Sequence, residues 1–105
     1  MKTSRPLRLS RLRDIGFADW DPIGLLAKGD VWNNKPFADE YDSYLLEAAG
    51  RLQRDWALED AVNFLMEIER DQMGLGPRAT SRPRAEATAK AIRAYLGSAG
   101  GPISD

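Results

Sequence analysis

Apolar residues recur at intervals of three and four along most of this chain, and nowhere do they keep the two-residue alternation of a half-buried strand. Tyr41, Leu45, Ala48 and Leu52 form one stripe, flanked by Tyr44 and Ala49. Leu58, Ala61, Val62, Leu65, Ile68 and Met73 form a second, and Ala85, Thr88, Ala89, Ile92, Tyr95 and Leu96 a third. A shorter one, Leu9, Leu12, Ile15 and Phe17, lies near the start, interleaved with Arg8, Arg11 and Arg13. Each stripe is the apolar face of a helix, and each needs a neighbour to cover it. The pattern predicts an all-α fold without strands: a small four-helix domain, orthogonal or bundle-like.

Local signals bound the helices at about 7–18, 38–54, 57–73 and 80–97. Asp21-Pro22 ends the first, because the residue before proline is pushed out of the α region. Asp39, Glu40 and Asp42 crowd the first turn of the second, with Asp39 as its N-cap, and Glu59 and Asp60 that of the third. Gly74 stops the third, Thr80 or Ser81 caps the fourth, and Pro83 suits that helix's first turn. Residues 1–4 read as a loose end and 98–105 as a flexible tail, leaving a core of about 7–97.

Between the first two helices lies a segment that keeps neither helical nor strand period. From Asp19 to Tyr44 it mixes Trp20, Ile23, Leu25, Leu26, Val31, Trp32 and Phe37 with six carboxylates, Asp19, Asp21, Asp30, Asp39, Glu40 and Asp42. Loops of this length are uncommon in compact domains. The aromatic and aliphatic side chains can bury against the helices and offset the entropy of ordering it, so a long ordered aromatic and acidic loop capping one end of the bundle is expected.

Composition narrows the chemistry. A chain of 105 residues, 43% hydrophobic and 30% charged, is one globular domain of ordinary make-up. It has no cysteine, so disulfides and thiolate chemistry are excluded, and no histidine, so the usual proton carrier and commonest transition-metal ligand are missing. Carboxylate, Lys, Tyr or an oxygen-bound metal remain. The longest apolar run is two or three residues, and no apolar leader follows the basic start, so a cytoplasmic protein without a membrane span is expected.

Net charge is −1 overall, but +5 over residues 1–13, −9 over 14–75 and +3 over 76–105. Either the basic ends fold against the acidic middle, or that middle faces a partner. The N-terminal arginines Arg5, Arg8, Arg11 and Arg13 could meet phosphate, but a near-neutral chain lacks the footprint of a nucleic-acid binder.

Two metal readings follow from the acids. Asp19, Asp21, Gly24 and Asp30 fall on positions 1, 3, 6 and 12 of a calcium-binding EF-hand loop, but position 5, where a ligand is needed, is Ile23, position 4 is Pro22, and position 12 is Asp where a bidentate Glu is usual. Asp39, Glu40 and Asp42 with Asp19 and Asp21 could gather around magnesium or manganese as a small metal-dependent hydrolase. Against that stands the ordinary role of acids at helix starts.

Three pieces stand out in combination: Trp20-Asp21-Pro22-Ile23-Gly24, Asp39-Glu40-Tyr41-Asp42-Ser43-Tyr44, and Phe64-Leu65 with Ile68-Glu69 and Met73-Gly74-Leu75. Together they resemble a family of small uncharacterised bacterial helical domains over roughly Leu12 to Leu96. The chain departs from that pattern at Ala57, where a serine cap is expected, and between Lys28 and Phe37. The resemblance implies four helices and no particular activity. Physical make-up supplies the functional expectation: a non-catalytic protein-interaction module without cofactor, monomer or weak dimer, of immunity or antitoxin-like type. In it Asp19, Asp21, Asp39, Glu40 and Asp42 steer a basic protein partner while Trp20, Trp32, Tyr41 and Tyr44 anchor it.

Overall fold

The computed structural model describes residues 5–104 apart from Lys28 and Pro77. Four helices build an all-α domain. α1 (Leu9–Ile15) widens without a break into a π-helical turn, Gly16–Trp20. α2 covers Asp42–Gln53. α3 (Leu58–Glu67) ends in a second π-helical turn, Ile68–Gln72, and α4 covers Ser81–Ala99. Each π turn closes on an i to i−5 hydrogen bond, Asp21 N–H to the Gly16 carbonyl at 2.8 Å and Met73 N–H to that of Ile68 at 3.0 Å.

The four stripes supply the core as the periodicity predicts. Leu12, Leu45, Leu65 and Ile92, one from each helix, are fully buried, and each such side chain contributes about 1.5–3 kcal/mol. α3 and α4 form the most extensive helix pairing. α1 crosses α2 closely at Gly16, where an added Cβ would stand 2.7 Å from Leu45 Cδ1. The break between α2 and α3 falls at Asp55, which takes a left-handed φ of 68°.

Two expectations are corrected. The second helix begins at Asp42, not at Ala38 or Asp39. Residues 37–41 form successive turns, and Tyr41 is the N-cap at non-helical angles (φ −100°, ψ 3°) with no side-chain cap. Of the two cap candidates for α4, Thr80 directly precedes the helix and its Oγ1 accepts from Arg84 Nε, while Ser81 is the first helical residue and its hydroxyl donates to Glu69. The chain ends also hold a strand pair that the sequence pattern does not foretell. β1 (Arg5–Arg8) runs parallel to β2 (Gly100–Ser104), with Leu7 opposite Ile103, so most of the expected flexible tail is paired. Strands of four and five residues bearing Pro6 and Pro102 are too short to carry a period, and their partners lie at opposite ends of the chain. The expected loose end at 1–4 lies outside the described residues.

Candidate functional site

The loop between α1 and α2 is held from inside by one carboxylate. Asp21 sits in the left-handed region (φ 31°, ψ 60°), which short polar side chains tolerate better than most. Its Oδ1 accepts from Leu25 N–H at 2.8 Å and from the Tyr41 hydroxyl at 2.6 Å, and its Oδ2 from Leu26 N–H at 3.1 Å. Ile23 N–H donates to the Tyr41 oxygen at 3.4 Å. Burial, then the hydrogen bond to Asp21, pushes the Tyr41 phenol well above its ordinary value, so it stays a donor.

A second carboxylate fastens the same loop to the far helices. Glu69, 1% exposed, accepts from Ser81 Oγ at 2.7 Å, from Arg78 Nε and Nη2 at 3.2 and 3.0 Å, and from Arg84 Nη1 and Nη2 at 3.0 and 2.8 Å. The two guanidiniums reach on to the loop: Arg78 Nη2 donates to the Pro22 carbonyl at 2.6 Å and Arg84 Nη1 to that of Trp20 at 3.2 Å. Burial raises the Glu69 pKa, but hydrogen bonds from Arg84, Ser81 and Arg78 outweigh it and hold the carboxyl below its usual range. Trp20-Asp21-Pro22, Tyr41 and Glu69, far apart in the sequence, thus meet in one internal network.

That network reassigns several residues expected at a partner surface. Trp20 and Tyr41, 1% and 0% exposed, are core side chains with ring centroids 5.4 Å apart, so neither is placed to anchor a partner. Asp21 spends its oxygens on the loop, and Asp42 is bound by Arg13 through Nε at 2.9 Å and Nη2 at 2.6 Å. Tyr44 is half-buried, edge-on to Trp20. Asp19 is half-buried and its pKa is raised by burial. Asp39 and Glu40 are exposed.

Trp32 borders a cavity. It stacks on Phe17 (6.4 Å, 13°), donates through Nε1 to Asp14 Oδ1 at 2.7 Å, and has the Arg13 guanidinium 5.6 Å from its ring. With Phe17, Leu26, Val31, Asp14 and Asp30 it lines a groove of about 440 Å³. Val31 is 53% exposed; it and Ile23 are the exposed large hydrophobic side chains among the described residues. Lys35 pairs with Asp30 at 2.8 Å and holds that carboxyl below its ordinary pKa. The sequence pattern did not single out Leu26, Val31 and Asp14 as part of a site, and it offered Asp30 only as a calcium-loop position. The available signal was a β-branched residue standing alone among Gly29, Asp30, Asn33 and Asn34.

Among the described residues no three acidic side chains converge as metal ligands, so the set proposed for magnesium or manganese is not brought together. The EF-hand register fails on geometry as well, since Asp21 turns inward to backbone N–H groups. The basic ends do fold against the acidic middle: Arg13 on Asp42, Arg78 and Arg84 on Glu69, and Arg82 on Glu59 at 2.7 Å. Arg11 binds Asp14 and lies over the Tyr95 ring, so the N-terminal arginine stripe is partly consumed by internal contacts. Among the described residues no helix is long and apolar enough to cross a membrane. No protein-family model, no curated protein and no solved structure matches the chain.

Proposed function

We propose that the chain is a non-catalytic protein-interaction module, of the neutralising immunity or antitoxin-like type, acting in the cytoplasm. Its partner is a basic protein that inserts an apolar side chain into the groove beside Trp32. The observation that carries this reading is Val31, an exposed β-branched side chain at the mouth of a preformed cavity floored by Phe17, Leu26 and Trp32. Apolar anchors in such pockets dominate the energetics of interfaces, while rim charges act on encounter rate and specificity. The exposed acids Asp39 and Glu40, on the turns before α2, carry the sign that favours a basic partner.

The test is affinity capture with the intact chain, followed by calorimetry on the purified partner. Val31→Arg closes the groove with a charge of the partner's sign and is expected to weaken binding at least about 30-fold, the scale of one interface anchor. Lys90→Glu, on the exposed flank of α4, is expected to leave affinity unchanged. A Val31→Arg variant that binds the same partner as tightly as the wild type would remove this function.

A further inference from the structure

A second groove lies away from the loop, where α2 passes into α3. It has a volume of about 290 Å³ and is lined by Arg51, Trp56, Asp60, Asn63, Phe64 and Glu67. Trp56 and Phe64 meet edge to face, ring centroids 6.3 Å apart. The Arg51 guanidinium lies 4.2 Å from the Trp56 ring centroid and 5.2 Å from that of Phe64. This ring pair is therefore already a guanidinium platform, the arrangement in which aromatic faces attract cations.

The charge balance gives the occupant. Arg51 is neutralised by its ion pair with Glu47. Asp60 and Glu67 stand two helical turns apart on α3, with Asn63 between them, and all three are exposed. The side chains of Asp60 and Glu67 make no hydrogen bond or ion pair among the described residues. Asp60 has an ordinary role in the first turn of α3, where acids favour the helix dipole; Glu67 stands at the last position of α3 and has no such role there. Arg70, close enough to Glu67 to feel its charge, is itself paired with Asp71, so the net charge of the groove is negative and lies beside an aromatic floor. At the lower edge of the roughly 300–1,000 Å³ range of small-molecule pockets, it suits one or two side chains better than a whole ligand.

We propose that the α2–α3 groove is a second docking surface, one that takes an arginine-bearing segment of a protein partner, its guanidinium placed between Asp60 and Glu67 and against Trp56. It is independent of the Trp32 groove, and either surface can fail without the other. The choice of arginine over lysine follows from chemistry: a planar guanidinium stacks on an indole and forks onto a carboxylate, which an ammonium does not.

The experiment uses the ¹⁵N-labelled intact chain and a helical alanine-based peptide carrying two arginines one turn apart. Readouts are the Trp56 indole N–H, assigned with Trp56→Phe, and the Asn63 side-chain amide. Saturable shifts of both are expected, with affinity falling several-fold as salt rises from about 0.05 M to about 0.3 M. Asp60→Asn combined with Glu67→Gln is expected to weaken binding at least about tenfold, a ratio typical of losing a charged contact. A peptide with citrulline in place of arginine tests the charge without altering the protein, and it is expected to produce no saturation. The proposal is overturned by absence of saturable shifts with the arginine peptide, by equal response to the citrulline or a glutamate peptide, by free arginine binding as tightly as the peptide, or by undiminished affinity in a double variant that keeps its helical circular dichroism.

Discussion

Replacing Glu69 by Gln keeps the shape of the side chain and removes the charge on which two guanidiniums and a hydroxyl converge. Breaking a buried ion pair from one side costs about 3–5 kcal/mol, because the remaining charge is stranded. Here the stranded groups are not fully enclosed: the side chains of Arg78 and Arg84 are 42% and 22% exposed and regain water. Discounting for that screening leaves about 2–3 kcal/mol, most of it from Arg84 and Ser81. For a domain of this length that lowers Tm by roughly 10–20 °C.

The pH dependence has a definite sign. A carboxyl held below its unfolded value of about 4.3 stabilises the fold above that pH, and the contribution is lost as pH falls through the lower folded value. Wild type therefore shows an acid limb in urea-unfolding free energy that Glu69→Gln flattens. A cycle with Arg84→Gln should give a coupling of about 1 kcal/mol or more, since the two groups touch. The control Arg82→Gln, which removes an exposed pair with Glu59 and Glu86, should leave the unfolding midpoint within error. A Glu69→Gln variant as stable as wild type at neutral pH, or a coupling near zero, would refute the reasoning.

Tyr41→Phe removes the hydroxyl held by Asp21 and should cost about 1–2 kcal/mol in urea unfolding at neutral pH. Because the folded phenol titrates above the unfolded value of about 10, wild-type stability should fall as pH rises past that value, and the Phe variant should lack this fall. Asp21→Ala forces a β-carbon without a polar partner into φ 31° and strips acceptors from Leu25 and Leu26; a loss of about 2–4 kcal/mol is expected, with amide-exchange protection at Leu25 and Leu26 abolished.

The helices were legible because burial and periodicity coincide. Leu45, Ala48 and Leu52, like Ala61, Val62 and Leu65, fall on the buried faces that their spacing predicts. The acidic first turn of α3 and the break before Trp56 follow from local chemistry in the same way. What spacing could not reveal is the use of polar groups over long separations. Nothing local distinguishes Glu69 from exposed Glu67, yet Glu69 is enclosed because Arg78 and Arg84 arrive from the next connection and helix. Asp21 likewise has the sequence context of a surface acid, yet it is satisfied internally by the Tyr41 hydroxyl and the Leu25 and Leu26 N–H groups. Trp20 shows the same limit, since spacing alone does not separate a core ring from an exposed anchor within an aperiodic loop. Its ring is core, and its Nε1 finds no acceptor among the described residues. The groove at Val31 escaped notice because its walls come from α1 and from the loop, which share no period.

The central claim is that the segment joining α1 to α2 is a fixed part of the fold, pinned by Asp21 and by the Glu69 clasp, so that the Trp32 groove exists before any partner arrives. Backbone ¹⁵N relaxation of the isolated chain measures this directly. The account predicts order parameters for Leu25, Leu26, Trp32 and Phe37 close to the roughly 0.85 of rigid backbone. Values below about 0.6 across these residues, with α2 and α3 remaining rigid, would contradict it.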